Sequence, residues 1–169
     1  GGFPLNNKKL SNLIKRLLND GHKVVSLDNY STGTKENEHK DCQYYNVDVS
    51  KTVDYSFFMS KPDVIFHLAA LARIQPSLDE PSPHIKNNFL GTLNILEYAR
   101  KNNVQVVYAG SSSFHCGLYG SPYAWSRFGG EEVCRLYSEV YDTNTAVCRF
   151  YNVYGPQQII DGDYAAVIG

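Results

Sequence analysis

A tyrosine and an arginine stand four residues apart in SPYAWSRFGGEE, residues 121–132. Because positions i and i+4 are neighbours on a helix, Tyr123 and Arg127 would share one face. A free tyrosine has a pKa near 10, and a cation about 5 Å away at an effective dielectric near 20 contributes roughly 3 kcal/mol, or about two pKa units. The pair could therefore supply a general base, provided that the fold binds a suitable substrate.

Hydroxyl groups lie a short loop before this pair. The segment GSSSFHCG, residues 110–117, follows the strand-like VQVVYAG at 104–110. A serine cluster at a strand end is often only a turn. Its position shortly before Tyr123 makes it a candidate partner for the phenol.

Acidic residues follow two other strand-like segments. Asp28 begins DNYSTG (28–33), and Asp48 lies in NVDVS. A carboxylate at a strand end can accept both hydroxyls of an adenosine ribose and would repel a 2′-phosphate, and Asp48 could accept from an adenine amino group. Each could equally form a turn or cap. His67, after the next strand, is interpreted as a core histidine.

The elements that would position these residues alternate along the chain. Periodicity predicts helices within 8–23, with Gly21 at the cap, and over 83–102 and 122–141, the last opened by Ser121 and Pro122. Strands are predicted at 23–27, 43–47, 63–70, 104–110 and 145–150. Because these short strands are apolar throughout, we predict one doubly wound α/β domain over 1–169, with a parallel sheet covered on both faces. Pro76, Pro81 and Pro83 are interpreted as one surface loop.

Composition narrows the class of protein. The chain has 169 residues and a formal net charge of −1, which gives no indication of a nucleic-acid partner. Its four cysteines are scattered without a C-x-x-C pair. We therefore expect no metal site, and we expect a cytoplasmic location. No apolar run reaches the roughly 20 residues of a membrane span.

Six stretches in order resemble the extended short-chain dehydrogenase/reductase family. They are LDNYSTG, DVIFHLAALA, NNFLGTLNILEYAR, VVYAGSSS, SPYAWSRFGGEEVCRLY and CRFYNVYGP. Within it, the chain is similar to NAD-dependent nucleotide-sugar epimerases and dehydratases of the UDP-glucose 4-epimerase type. A dehydratase is disfavoured because SSSFHC lacks the acid of the family's Thr-Asp-Glu triplet, and a related reductase stays an alternative.

The resemblance implies roles for individual residues. Ser111, with Ser112 as the alternate, and Tyr123 match the catalytic serine and tyrosine, and Arg127 takes the place of the family's lysine. NAD would be bound by Asp28, Asn29, Ser31, Thr32, Gly33, Asp48, Val49, Ala69, Ala70, Leu71, Asn88, Tyr123 and Arg127. The nucleotide sugar, a UDP-hexose, would contact Ser111, Tyr123 and Asn152. Arginine preserves the positive charge but is longer, planar and forked, which endangers the geometry.

The chain departs from the family's pattern at both ends. GGFPLNNKKL stands where the family has its first strand and glycine-rich turn, and YAAVIG ends where the family continues into a substrate-binding domain. We therefore expect a partial dinucleotide-binding domain lacking the first strand, the glycine turn and the substrate domain. A non-catalytic nucleotide or nucleotide-sugar binder and an inactive fragment are the alternatives to an epimerase.

The resemblance also implies a homodimer. Family members commonly pair through the helices predicted here at 83–102 and 122–141. Aromatic side chains on more than one face of these helices agree with such pairing; they are Tyr98, Trp125, Phe128, Tyr137 and Tyr141. The alternative is that these aromatics all pack inward on the sheet.

Overall fold

A computed structural model describes residues 5–31, 35–51 and 60–151 of the chain. The chain divides into two compact units, with the boundary between Asp48 and Val49. The first holds the described residues up to 48 and the second those from 49 to 151. The prediction of a single domain over 1–169 stays a prediction.

The first unit is a helix followed by two parallel strands. Helix α1 (Leu5–Asn19) leads to β1 (Val25–Asp28), and a short 3₁₀ turn (Lys35–Asn37) precedes β2 (Gln43–Asn46). Gly21 caps the carboxyl end of α1, as predicted. Its φ of 85° is the left-handed conformation that glycine adopts without a Cβ clash. Strands β1 and β2 pair with Asp28 opposite Asn46.

The second unit alternates strands and helices. Strand β3 (Val64–His67) is followed by α2 (Ile74–Asp79), α3 (Pro81–Ile85), a π turn (Lys86–Leu90) and α4 (Gly91–Asn102). Strand β4 (Gln105–Ser111), 3₁₀ turns (Ser112–Cys116 and Leu118–Gly120), α5 (Pro122–Tyr141) and β5 (Thr145–Phe150) complete it. The predicted third strand, 63–70, is shorter than expected.

The strands of each unit confirm the predicted parallel α/β fold. Strands β3, β4 and β5 form a parallel sheet in that order, and β1 and β2 form a separate parallel pair. The usual strand order of the dinucleotide-binding fold is 3-2-1-4-5-6. The pair β1-β2 and the order β3-β4-β5 each agree with a part of that order.

The core of the second unit lies between the sheet and the helices α4 and α5. Its buried members are Ile95, Leu96, Ala99, Val104, Val106, Tyr108, Cys134 and Tyr137. On the opposite face of the sheet, Val64 and Phe66 are 36% and 38% exposed. Within this unit α4 and α5 cover one face of the sheet.

The three prolines interpreted as one surface loop lie instead in short helices. Pro76 is in the first turn of α2, and Pro81 and Pro83 are in α3. Proline fits the first turn of a helix because its missing N–H would have no intrahelical acceptor there. The loop interpretation was therefore wrong for these residues.

Candidate functional site

The predicted serine and tyrosine meet at the carboxyl end of β4. The Tyr123 hydroxyl donates to Ser111 Oγ at 3.5 Å. Tyr123 lies in the first turn of α5, whose N-cap Ser121 accepts from the Ala124 amide at 3.1 Å. Ser111 is the last residue of β4. The strand end and the helix start therefore bring together two hydroxyls that are 12 residues apart in sequence.

The orientation of Ser111 is fixed by its own loop. Ser111 Oγ donates to Ser113 Oγ at 3.0 Å and accepts from the Ser113 amide at 3.2 Å. Ser112, the alternate candidate, begins the 3₁₀ turn that follows. Ser111 is thus the serine whose hydroxyl contacts Tyr123 in the structure.

A buried serine from α2 holds the backbone of the tyrosine. Ser77 is fully buried, and its hydroxyl accepts from the Tyr123 amide at 3.1 Å while donating to the Ile74 carbonyl at 2.6 Å. The amides of a first helical turn lack intrahelical acceptors. The Ser77 hydroxyl is the acceptor for one of these amides, that of Tyr123, and so links α2 to the start of α5.

Arg127 is directed toward β4. Its side chain is buried, its Nη2 donates to the Ala109 carbonyl, and its guanidinium carbon lies 4.8 Å from the centroid of the Tyr108 ring. The Tyr108 hydroxyl in turn donates to the Arg127 carbonyl at 3.1 Å. The charge is retained at this position, but these contacts commit one face and one nitrogen of the guanidinium to the protein interior.

One nitrogen of Arg127 fits a bound polar group. Nη1 is buried and has no hydrogen-bond partner among the described residues. A buried donor without an acceptor is costly. A ligand hydroxyl or phosphate oxygen would satisfy it, as the ribose of a dinucleotide could.

Asn88 acts on a loop that the sequence assigned to the dinucleotide. It is fully buried in the π turn, its Oδ1 accepts from the Leu71 amide at 2.8 Å, and its Nδ2 donates to the Leu71 carbonyl at 3.0 Å. Nδ2 also donates to Ser126 Oγ at 3.1 Å. These protein contacts hold the segment 69–72 to α5, so Asn88 shapes the loop through its backbone.

His67 is a core histidine, as interpreted from the sequence. It is buried, and its Nε2 lies 3.0 Å from Thr92 Oγ1. Thr92 donates its only hydroxyl hydrogen to the Asn88 carbonyl at 2.7 Å, so His67 Nε2 is the donor to Thr92. Burial, helped by the charge of Arg127, lowers the pKa of His67 to about 3. The imidazole is therefore neutral.

The predicted ribose-binding residues lie in the first unit and form two turns. Asp28 Oδ1 accepts from the Tyr30 amide at 2.8 Å, and Asn29 Oδ1 accepts from the Ser31 amide at 3.0 Å. Burial raises the pKa of Asp28, and the Tyr30 hydrogen bond opposes that shift. The turn alternative for Asp28 is thus realised, and one carboxylate oxygen is engaged in it.

Some of the remaining residues predicted to bind cofactor or substrate are described by the structure, and others are not. Asp48, Val49, Ala69 and Ala70 are half-buried, and the Val49 carbonyl accepts from Asn94 Nδ2 at 2.9 Å. Thr32, Gly33 and Asn152 lie outside the described residues.

Two residues of the site were missed in the sequence. Ser77 lies in QPSLDEP, which the prolines marked as a loop. Glu131 is the acid one helical turn after Arg127, and it is buried against Ser111 and Arg149. The i, i+4, i+8 spacing of Tyr123, Arg127 and Glu131 was the available signal, since it places all three toward one side of the helix.

Other kinds of site are not seen in the described part of the chain. Within it, His, Cys, Asp and Glu nowhere form a group of three that could hold a metal ion. None of the helices found there has the length and apolar character to cross a membrane. Cys42, Cys134 and Cys148 are free thiols.

Comparisons with known proteins identify the family of this chain. Residues 11–168 match the model of the NAD dependent epimerase/dehydratase family. The chain is 33% identical to a UDP-glucose 4-epimerase of Mycolicibacterium smegmatis, covering 93% of this chain and 56% of that protein. It therefore spans about half the length of the curated relatives it matches.

Solved structures give the same assignment. UDP-glucose 4-epimerase of Thermotoga maritima with UDP-glucose is similar at 27% identity and a TM-score of 0.84, over 93% of this chain and 56% of that one. The Thermus thermophilus UDP-glucose 4-epimerase complex with NAD is similar at 30% identity and a TM-score of 0.80, over 91% and 55%. With the serine–tyrosine pair, the parallel strands and the family match in agreement, this chain belongs to the NAD dependent epimerase/dehydratase family.

Proposed function

We propose that this chain carries the catalytic residues and NAD site of a nucleotide-sugar epimerase of the UDP-hexose 4-epimerase type. The observation that carries the proposal is the 3.5 Å contact between Tyr123 Oη and Ser111 Oγ. A phenol and a hydroxyl at this separation can both reach one sugar oxygen. The similarity to two UDP-glucose 4-epimerases supports the choice of substrate.

The chemistry divides between the chain and its cofactor. Tyr123 takes the proton of a sugar hydroxyl, and Ser111 hydrogen-bonds to the same oxygen throughout. NAD would supply the hydride acceptor and donor for the carbon that bears this oxygen, which is the chemistry that inversion at that carbon requires. Tyr123 then gives the proton back.

The cofactor-binding residues that we propose are those that the resemblance implies. In the first unit, Asp28, Asn29, Ser31, Thr32, Gly33 and Asp48 would contact the adenosine. In the second, Val49 and the backbone of 69–71 would line the dinucleotide, with Asn88 holding Leu71 in place. Arg127 Nη1 would donate to the nicotinamide ribose, which would satisfy its buried N–H. Asn152 would contact the sugar nucleotide.

A homodimer in the cytoplasm completes the proposal. Helix α5 exposes apolar side chains, namely Trp125, Leu136, Val140 and Tyr141 at 40%, 52%, 58% and 50%. Tyr137 is instead buried in the core, so the aromatics divide between core and surface. Pairing through α4 and α5 would cover the exposed set; sedimentation that gives only monomer at micromolar concentration would rule it out.

The test is turnover of a UDP-hexose by the full-length protein with NAD. Tyr123→Phe should abolish epimerisation, and Ser111→Ala should lower kcat by roughly 100-fold, the scale of one lost acid–base partner. Tyr119→Phe is the matched control, because Tyr119 is 88% exposed and should leave turnover unchanged. If Tyr123→Phe retains wild-type turnover, the proposal is wrong.

A non-catalytic nucleotide-sugar binder is the second candidate function. The contacts of Arg127 with Ala109 and the Tyr108 ring favour it, since they direct the cation into the core. Such a protein would bind NAD or a UDP-sugar without turning either over. For an epimerase, Arg127→Lys should raise kcat if the arginine geometry is limiting. For a binder, neither wild type nor variant turns over substrate.

A further inference from the structure

The Glu131 carboxylate lies between α5 and the end of β4, and its two oxygens have separate partners. Oε1 accepts from the Ser111 amide at 3.2 Å. Oε2 accepts from Arg149 Nε and Nη2, each at 2.8 Å. Glu131 is only 5% exposed. A buried carboxylate with both oxygens engaged has a single orientation.

The backbone of β4 is shaped to receive this carboxylate. A Cβ on Gly110 would lie 2.5 Å from Glu131 Oε1, closer than such atoms approach. Gly110 also pairs with Arg149 in the β4–β5 register. The carboxylate therefore lies directly against the Gly110–Ser111 peptide, and Arg149 holds it from the neighbouring strand.

This contact links the two catalytic candidates through one helix. Glu131 lies eight residues after Tyr123 on α5, a rise of about 12 Å at 1.5 Å per residue. At one end of this segment the Tyr123 hydroxyl reaches Ser111 Oγ. At the other end Glu131 binds the Ser111 amide. Helix α5 thus holds Ser111 by its backbone and presents the phenol to its side chain.

We propose that Glu131 is a positioning residue that sets the distance between Ser111 Oγ and Tyr123 Oη, with Arg149 fixing its carboxylate. The catalytic consequence rests on the proposed function, whereas the structural link does not. Reacting groups displaced by about 1 Å can lose on the order of 100-fold in rate. A group that fixes Ser111 therefore acts on kcat without touching the substrate.

The test compares Glu131→Ala and Glu131→Gln with Glu132→Gln in the full-length protein. Glu132 is the exposed neighbour on the same helix and serves as the matched control. The first readout is hydrogen exchange of the Ser111 amide, which needs no activity. Glu131→Ala should speed this exchange at least 10-fold. Glu131→Gln keeps an acceptor but a weaker, neutral one. In this variant the Ser111 amide should therefore exchange faster than in the wild type and more slowly than in Glu131→Ala.

The second readout separates positioning from general stability. We expect Glu131→Ala to lower kcat by roughly 10- to 100-fold while KM and the affinity for NAD change less than about 2-fold. Glu131→Gln should recover part of kcat, and Glu132→Gln should match wild type in every readout.

Several results would overturn the proposal. Unchanged Ser111 exchange in Glu131→Ala, or in Glu131→Leu should the alanine variant fail to fold, would remove the link, because neither side chain offers an acceptor. Faster Ser111 amide exchange in Glu131→Ala with an unchanged kcat would show that Glu131 has only a structural role. A wild-type protein that binds NAD but turns over no UDP-hexose would refute the proposed function instead, and the exchange measurement would still decide the link between Glu131 and Ser111.

Discussion

Ser77 Oγ accepts a hydrogen bond from the Tyr123 amide at 3.1 Å, although 46 residues separate them. The same hydroxyl donates to the Ile74 carbonyl. One buried side chain therefore hydrogen-bonds both within α2 and to the start of α5. Together with Ser121, which accepts from Ala124, it accounts for two amides of the first turn of α5. The backbone that carries the phenol is therefore held from two directions.

Removal of this hydroxyl should destabilise the protein. Ser77→Ala leaves the part-buried Tyr123 amide without its acceptor, which costs about 1–3 kcal/mol. Urea unfolding measures the loss. Ser82→Ala, at an exposed position of α3, should change the free energy of unfolding by less than about 0.5 kcal/mol. Equal stability of the two variants would show that the Ser77 hydrogen bond contributes nothing.

A second prediction concerns the close approach of α5 to β4 at Gly130. A Cβ there would lie 2.2 Å from the Tyr108 hydroxyl and 2.7 Å from its ring carbon Cζ. Tyr108 is fully buried and its hydroxyl donates to the Arg127 carbonyl, so the ring has little freedom to move. Gly130→Ala should lower the free energy of unfolding by about 1–3 kcal/mol through overpacking.

Thermal or urea unfolding tests that prediction against Gly120→Ala. A Cβ on Gly120 meets nothing within 4 Å, so this control should unfold close to wild type. A Gly130→Ala protein as stable as the Gly120→Ala control would mean that the helix moves away from the strand at little cost.

His67 should make stability fall in mild acid. Its folded pKa of about 3 lies below its ordinary value of 6.5, so between these pH values the unfolded chain binds a proton that the folded chain excludes. The free energy of unfolding therefore falls as pH decreases below 6.5, by up to about 1.4 kcal/mol per pH unit. Full stability from this group is present only above pH 6.5.

Urea unfolding between pH 7 and 4.5 measures this slope. His67→Gln should reduce the change of the free energy of unfolding with pH by up to about 1.4 kcal/mol per pH unit, the equivalent of one proton. His22→Gln, at an exposed position, should not reduce it. Hydrogen bonds from Arg100 and Tyr137 lower the pKa of Glu97 from 4.5 to about 2. The stability due to Glu97 is thus lost below pH 4.5, outside the measured range. An identical slope in wild type and His67→Gln would contradict the prediction.

Asp28 should select NAD over NADP. A carboxylate at the end of β1 would repel a 2′-phosphate, so we expect NAD to bind tighter by about 1 kcal/mol or more, roughly a 5-fold ratio in Kd. Because burial raises the pKa of Asp28, the preference should weaken as pH falls toward that raised value. Asp28→Asn should remove most of it at neutral pH.

Titration of the protein with both dinucleotides provides the measurement. Asp41→Asn, an exposed acid in the same unit, is the control and should keep the wild-type preference. Equal affinities in the wild type would refute the assignment of Asp28.

The boundaries of α5 and β5 could be predicted because local signals mark them. Ser121 and Pro122 open the helix as cap and first residue, and 122–141 and 145–150 agree with the structure. Helix α2 and the start of α3 were not predicted, because three prolines usually indicate a loop and their compatibility with a first turn depends on register. The predicted helix 83–102 includes the end of α3, the π turn and α4.

The candidate site was predicted in its residue types better than in its contacts. Helical spacing placed Tyr123 and Arg127 together. The direction of Arg127, however, depends on the Tyr108 ring and the Ala109 carbonyl, which lie on a strand 19 and 18 residues earlier. Likewise the hydrogen bonds of the Asn88 amide to the Leu71 backbone could not be predicted, and the position of Asn88 beside the cofactor stays a prediction. Such long-range partners follow from packing, which a single sequence does not specify.

The π turn at Lys86–Leu90 makes chain length a determinant of the site. There the Gly91 amide bonds to the Lys86 carbonyl, five residues back, so this turn holds one residue more than a regular α-helical turn. Deleting Phe89 or Leu90 would allow an unbroken α-helix from α3 to α4 and would rotate the preceding residues, Asn88 among them, by about 100° relative to α4. Asn88 could then no longer face Leu71, even if every remaining side chain were kept. Substitutions in this segment should therefore be tolerated more readily than single-residue deletions or insertions.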